Sequence, residues 1–188
     1  MNLRRAFPVL LMALLLPCRC GFCQIVDWAE FDRTVLRLLP SQFLPLPRQI
    51  RSELQRRGCT IPQAGDETKP HNVVRGRFVK PEEWDWAVLC SINRISSILV
   101  FRPRSSLVFA ELARRPDLEF LQEGDGGRMG YSRNLSAAGR KRMTDHAAFE
   151  GAKPPAVDHD GIEDAFAGKA STVLYFQGGK WVVLTGAD

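Results

Sequence analysis

The stretch "DWAVLCSI", residues 85–92, constrains the fold more than any other. Side chains of a strand alternate between two faces, so Trp86, Val88 and Cys90 share one and Ala87 and Leu89 the other. Both sets are apolar. A strand of that kind is covered on both sides, which gives it a central place in a sheet. The flanking runs "NVVRGRFV" (72–79) and "ISSILVFR" (95–102) are rich in Val, Ile and Phe and lie a short connection away. The three runs read together as an antiparallel meander.

Cys90 carries a second constraint. Of five cysteines, Cys18, Cys20 and Cys23 sit at the end of an N-terminal stretch of different character. Arg4 and Arg5 open it, an apolar run from Ala6 to Leu16 follows, and Pro17 breaks that run before small residues begin. This is the layout of a secretory signal peptide over 1–23, cleaved after Cys20 or Cys23. The run falls well short of the roughly 20 apolar residues that span a bilayer. Cleavage leaves Cys59 and Cys90. An even pair in an exported chain reads as a disulfide, the alternative being two buried thiols. Closing that loop removes roughly 3–4 kcal/mol of unfolded-chain entropy. The expected location is exported, periplasmic or extracellular.

The leader also distorts the charge balance. It holds three arginines and no acid, so Lys+Arg falls from 26 to 23 against 21 acidic residues, and the net charge drops from +5 to +2. A balance so close to neutral does not support nucleic-acid binding. No membrane association is expected once the leader is gone.

Two helices are predicted ahead of the meander. In "DWAEFDRTVLRLLP", Trp28, Phe31, Val35 and Leu38 fall on one helical face, Asp27 and Glu30 form a capping box, and Pro40 ends the run. In "LPRQIRSELQRRG", Leu46, Ile50 and Leu54 are four apart, Pro47 suits the first turn and Gly58 the C-terminal cap. The other face of this second helix carries Arg48, Arg51, Arg56 and Arg57, a solvated basic surface. Residues 64–71 are a polar loop.

Beyond the meander the signals are mixed. "SSLVFAEL" (105–112) suits either strand or helix. "EGDGGRMGYSRN" (123–134) is glycine-rich and reads as a loop. "LSAAGRKRMTDHAAF" (135–149) reads as a helix capped by Asn134 and weakened by Gly139, and "GAKPP" (151–155) as a connector. At the C-terminus, "STVLYFQ" and "KWVVL" flank Gly178-Gly179, the strongest hairpin signal in the chain.

The stretch "VDHDGIEDAFAGKA" (157–170) gathers Asp158, His159, Asp160, Glu163 and Asp164. A calcium loop of EF-hand type would need Gly at position 6 and Glu at position 12. Counted from Asp158, glycine comes at position 4 and position 12 is Lys169, so the spacing fails. Asp160 instead fits a helix N-cap, with Glu163 three residues on, Ile162 and Phe166 four apart, and Gly168 as the stop. A short helix over 160–168 is predicted. Asp158 and His159 then lack a structural duty, and a carboxylate beside an imidazole is the raw material of a general base. Asp158 and His159 are the candidate catalytic residues. Asp158 and Asp160 are the only candidate metal ligands, and no cofactor is expected. The other histidines are His71 and His146. No G-x-S-x-G, Walker A, G-x-G-x-x-G or H-E-x-x-H motif is present.

"GRFVKPEEWDWAVL" (76–89) resembles one blade motif of the FG-GAP or VCBS repeat proteins. Gly76, Phe78, Asp85, Ala87, Val88 and Leu89 fall at the positions of that pattern. The resemblance implies a β-blade hairpin around a calcium loop. Here the loop reads "VKPEEW", with Lys80 and Pro81 where the family places oxygen ligands, so the likeness implies the strands and not the cation. It covers residues 72–102 in a single copy. The chain as a whole is similar to a type of exported bacterial protein, a likeness that implies no activity.

The sequence therefore predicts a single α+β domain over 24–188: N-terminal helices packed on one antiparallel sheet, built from the meander and the 171–184 hairpin. Phe78, Trp86, Phe101, Phe166, Tyr175 and Trp181 are the expected aromatic core. With no complete catalytic set, the predicted function is that of a small exported, non-catalytic binding or interaction protein with a protein or cell-envelope partner. The alternatives are a secreted hydrolase using Asp158 and His159, or a divalent-metal-stabilised structural protein.

Overall fold

A computed structural model describes residues 27–65, 69–124, 127–151, 153 and 156–187. The predicted leader at 1–23 lies outside them. In chain order the elements are α1 (Trp28–Thr34), β1 (Arg37–Leu38), α2 (Arg48–Arg56), β2 (Ile61–Pro62), β3 (Val73–Gly76), β4 (Asp85–Ile92), β5 (Ile95–Phe101), β6 (Val108–Pro116), β7 (Leu121–Glu123), β8 (Met129–Tyr131), β9 (Arg133–Ala138), α3 (Arg140–Phe149), β10 (Gly161–Phe166), β11 (Ala170–Gln177) and β12 (Lys180–Ala187).

The single sheet flanked by helices is not what forms. The described residues are mostly β, with three short helices and strands in four sheets. The meander joins β6 in one four-stranded sheet, ordered β3-β4-β5-β6. The C-terminal hairpin belongs to a second, ordered β12-β11-β10-β9. Two-stranded pairs, β1-β2 and β7-β8, complete the set. The two large sheets stack through Phe78, Ala87, Leu89, Ile98 and Val100 on one side and Leu135, Ile162 and Leu174 on the other. On the outer face of the first sheet, Ile50 and Leu54 of α2 pack over Val88, Cys90, Leu99 and Phe101. On the outer face of the second, Met143 of α3 packs with Val173, Tyr175 and Leu184. The order of layers is helix, sheet, sheet, helix.

This layering is the one β4 demands. It pairs with β3 and β5, and its two apolar faces enter different cores, Ala87 and Leu89 one, Val88 and Cys90 the other. Cys90 forms the disulfide with Cys59, Cα atoms 5.2 Å apart, and so ties the segment after α2 to the central strand. Phe78, Phe101 and Tyr175 are fully buried, while Trp86, Phe166 and Trp181 sit at the margins of the cores.

Three predicted helices come out differently. The first starts as expected, Asp27 accepting from the Glu30 N–H, but ends at Thr34. The Arg37 guanidinium bonds the Asp32 carbonyl at 2.8 Å and the Asp117 carboxylate at 2.8 Å, and that turn takes the chain into β1. Here α1 lies against the Asp117–Phe120 turn, β7 and β8, away from α2. The predicted 135–149 helix is split: 133–138 form β9, and α3 begins at Arg140 with Gly139 as N-cap. The predicted 160–168 helix is a strand. β10 pairs with β9 on one side and β11 on the other, so its backbone groups bond across strands. Ile162, Asp164 and Phe166 point one way, and Gly161, Glu163 and Ala165 the other.

Where tight turns need positive φ, the residues supply it. Gly178 and Gly179 (φ +60° and +80°) close the β11–β12 hairpin, and Asn93 and Arg94 (+51° and +63°) close β4–β5. Asn72 (φ +68°) works at a longer range. Its side-chain amide donates to the carbonyls of Pro62 at 2.8 Å and Arg133 at 3.1 Å and accepts from the Leu135 N–H at 2.8 Å. Its own carbonyl accepts from the Leu89 N–H at 2.9 Å. One buried residue thus stitches β2 and β9 through its side chain and β4 through its backbone carbonyl. Asn72→Ala should cost about 3 kcal/mol by urea unfolding, because it orphans several buried backbone groups. Replacing Cys59 and Cys90 together by Ala should cost about 3–4 kcal/mol in the same assay.

Candidate functional site

Three polar constellations and one groove compete for a functional role. The first is the 158–160 turn that leads into β10. The Asp160 carboxylate accepts from the Arg77 N–H at 3.0 Å, and the Asp160 N–H donates to the Arg77 carbonyl at 2.8 Å. This residue fastens the start of β10 to the end of β3. Asp158 lies 3.0 Å from the Tyr175 hydroxyl. His159 stacks on the Tyr175 ring at 4.4 Å, with Nε2 2.9 Å from the Phe176 carbonyl and Nδ1 3.0 Å from the Asp160 carbonyl. Nε2 is 3.7 Å from Asp158 Oδ1, so the two candidate catalytic residues do meet. Both ring nitrogens nevertheless face main-chain carbonyls, and neither offers a lone pair to solvent.

The three histidines go to different places. Nε2 of His71 accepts from the Ala64 N–H at 2.7 Å, and its backbone N–H donates to Gln63 at 2.9 Å. His146 lies on the buried face of α3. Among the described residues no group of three or more His, Cys, Asp or Glu is placed to hold a metal ion.

The second constellation escaped the sequence reading. Nδ1 of His146 bonds the Arg142 carbonyl one turn back at 2.9 Å, which leaves Nε2 to accept from the Ser171 hydroxyl at 2.9 Å. Arg142 also donates to Ser171 Oγ at 3.0 Å and to Glu163 at 2.6 Å. A serine, an imidazole and an orienting acceptor are the parts of an activated nucleophile. Here Ser171 and His146 are 2% and 1% exposed. Gly186 closes over the ring, and a Cβ there would stand 2.5 Å from His146 Cδ2. The arrangement clamps α3 to the second sheet. Nothing in the spacing of Ser171 and His146 announces it, because strand pairing and helix docking alone bring them together.

Glu163 completes the clamp. Burial works to raise its pKa, but hydrogen bonds from Arg142, Ser136 and Ser171 outweigh that and hold the carboxyl below its ordinary value. A depressed acid stabilises the fold above its unfolded value, and the contribution is lost as pH falls through the folded one. The wild-type protein should therefore lose stability on acidification below about pH 4.5 more steeply than Glu163→Gln. At neutral pH the variant should already be about 2 kcal/mol less stable in urea titrations.

The third constellation lies between the sheets. Arg133 is wholly buried and forks onto Asp164, with both contacts at 2.8 Å. It also donates to Ser96 Oγ at 2.8 Å and the Ala113 carbonyl at 2.7 Å, and lies 4.5 Å above the Phe120 ring. Burial, reinforced by Asp117 and Asp164 against the opposing pull of Ser96 and Arg133, raises the Tyr131 hydroxyl well above its ordinary pKa. This network is shut away from solvent.

The groove is the accessible feature. A cavity of about 420 Å³ is walled by α1, the β1 segment and β8, and one of about 510 Å³ lies along the β7–β8 hairpin and the β10–β11 turn. They meet at Gly65, Met129, Gly130 and Tyr131. The Gly65 N–H donates to the Tyr131 carbonyl at 3.0 Å, which holds that meeting point together. Phe31, Val35, Leu36, Leu38 and Leu121 make the first lobe apolar. Glycines and Ser132 leave mostly backbone in the second. Among the described residues, Lys69 is the charged residue lining the first lobe and Arg128 the one lining the second. Sequence reasoning left these residues in the 64–71 and 123–134 loops. Their composition carries no chemical signature, since backbone and apolar walls do the shaping. Compared with protein-family models, with curated proteins and with solved structures, the chain matches none, so the groove must be interpreted from its own chemistry.

Proposed function

We propose that the chain is an exported, non-catalytic binding protein whose ligand lies across the two-lobed groove at Met129–Tyr131. The observation that carries this reading is the lining: an apolar lobe and a backbone-rich polar lobe, with Lys69 in the first and Arg128 in the second as the charged groups among the described residues. Pockets of this size with few convergent polar groups suit small ligands. The chemistry fits an amphipathic molecule with an apolar body against Phe31, Val35 and Leu38 and an anionic end toward Lys69 or Arg128. Export draws support from the Cys59–Cys90 disulfide, a bond that persists in oxidising compartments. Among the described residues no helix is long and apolar enough to cross a membrane. The hydrolase and metal-stabilised alternatives have no specific observation in their favour.

Anilinonaphthalene sulfonate, with fused apolar rings and one sulfonate, is a suitable probe. Its fluorescence should rise saturably with one site per chain and a micromolar Kd. A Cβ at Gly130 meets nothing within 4 Å, so Gly130→Phe can fill the groove without straining the strand. That variant should melt like the wild type and bind the probe at least about tenfold more weakly, the equivalent of 1.4 kcal/mol of lost contact. Equal binding by wild type and Gly130→Phe, or no binding by either, would sink the proposal.

A further inference from the structure

On the face of the first sheet that α2 covers only in part, Arg75, Arg77, Trp84 and Trp86 gather around the β3–β4 hairpin. Arg75 and Trp86 are direct cross-strand partners. The Arg75 guanidinium lies 5.0 Å from the Trp84 ring centre and 5.8 Å from that of Trp86, and the Arg77 guanidinium lies 4.7 Å from Trp84. Arg75, Arg77 and Trp84 are exposed, Trp84 at 44%. Among the described residues neither guanidinium has an ion pair or a hydrogen bond. The nearby acids are committed elsewhere: Glu83 to Arg102, Asp85 to the Phe78 and Val79 N–H groups, and Asp160 to the Arg77 backbone. Glu82, the remaining acid of the loop, is exposed and contacts neither arginine.

The arrangement is unlike a solvated basic surface. A guanidinium on an indole uses its flat face for the cation–π contact, and its N–H edge stays free to fork onto an oxyanion. Stacking also fixes side chains that would otherwise lose rotamer freedom on binding, so part of the ordering cost is met in the free protein. Both cations share the Trp84 ring, and an anion bridging them relieves their mutual repulsion. Arg75 and Arg77 are two residues apart on an extended segment, which sets their Cα atoms roughly 7 Å apart. Alternate side chains of another extended peptide have the same spacing. Asp160 already holds the Arg77 backbone, so such a peptide would lie across the two guanidinium groups and meet them through its side chains.

We infer that Arg75 and Arg77, splinted on Trp84 and Trp86, form a docking surface for an extended acidic segment of a partner protein with Asp or Glu at alternate positions. The surface is separate from the groove and stands or falls independently of it. The test is fluorescence anisotropy of labelled Thr-Asp-Val-Asp-Thr-Asp-Val on the full mature chain, with labelled Thr-Val-Asp-Asp-Asp-Thr-Val as an equal-charge control of different spacing and a heparin hexasaccharide as a polyanion without peptide geometry. The alternating peptide should bind in the micromolar range, more weakly as ionic strength rises. Arg75→Ala, Arg77→Ala and Trp84→Ala should each weaken it about five- to tenfold, the loss expected of one charge-assisted fork or its splint, with melting temperatures unmoved. Arg75→Lys, which keeps the charge and loses the fork, should weaken it as well. Equal affinity for the control peptide, tighter binding of the hexasaccharide, or an Arg75→Ala variant that binds like the wild type would overturn the inference.

Discussion

The fold is organised around a charge in its centre. Arg133, which among the described residues is one of the largest fully buried side chains, sits between two sheets that are otherwise packed with aliphatic and aromatic groups. A lone cation there would be prohibitive, so every polar atom around it has to be placed. Asp164 comes from the neighbouring strand of the same sheet, Ser96 and the Ala113 carbonyl from the facing sheet, and Phe120 from the connection between them. The demand even shows in the backbone: Ala113 adopts φ +48°, where β6 slips register against β5. A β-branched or bulky residue would resist that conformation, and alanine tolerates it at modest cost. The Arg133 carbonyl is in turn bonded by Asn72, so the two sheets, the β2 segment and β4 meet at one polar junction.

That junction explains what could be read in advance and what could not. The two-sided apolar pattern of β4, the Gly178-Gly179 turn and the Cys59–Cys90 pair are local or compositional signals, and the structure carries all three. The 160–168 segment misled because the inward side of β10 includes Asp164. An acid at that position breaks the apolar alternation, and only a guanidinium from a distant glycine-rich segment makes it an interior residue. Meanwhile Asp160 and Glu163 stand at the spacing of a helix cap but serve tertiary contacts, one to Arg77 and the other to Arg142. Pairing on both edges of β10 supplies more backbone hydrogen bonds than one short helix could.

The same logic places the reactive-looking groups in tertiary contacts, although Asp158 itself stays exposed. The residue types most suggestive of chemistry, His146, Ser171, His159 and Asp158, are absorbed in fastening α3 and the 156–160 turn to the second sheet. The groove is lined by glycines, aliphatic side chains and carbonyls, which carry little compositional signal. Its shape follows from where the short β7–β8 pair ends and α1 begins.

Each large sheet is assembled from strands that follow one another closely along the chain, and the disulfide spans only 59–90, wholly within the first half. Contacts of short sequence separation form early. Closing that bond needs no residue beyond 90, so the segment after α2 and β4 can be joined covalently without any strand of the second sheet, all of which come later in the chain.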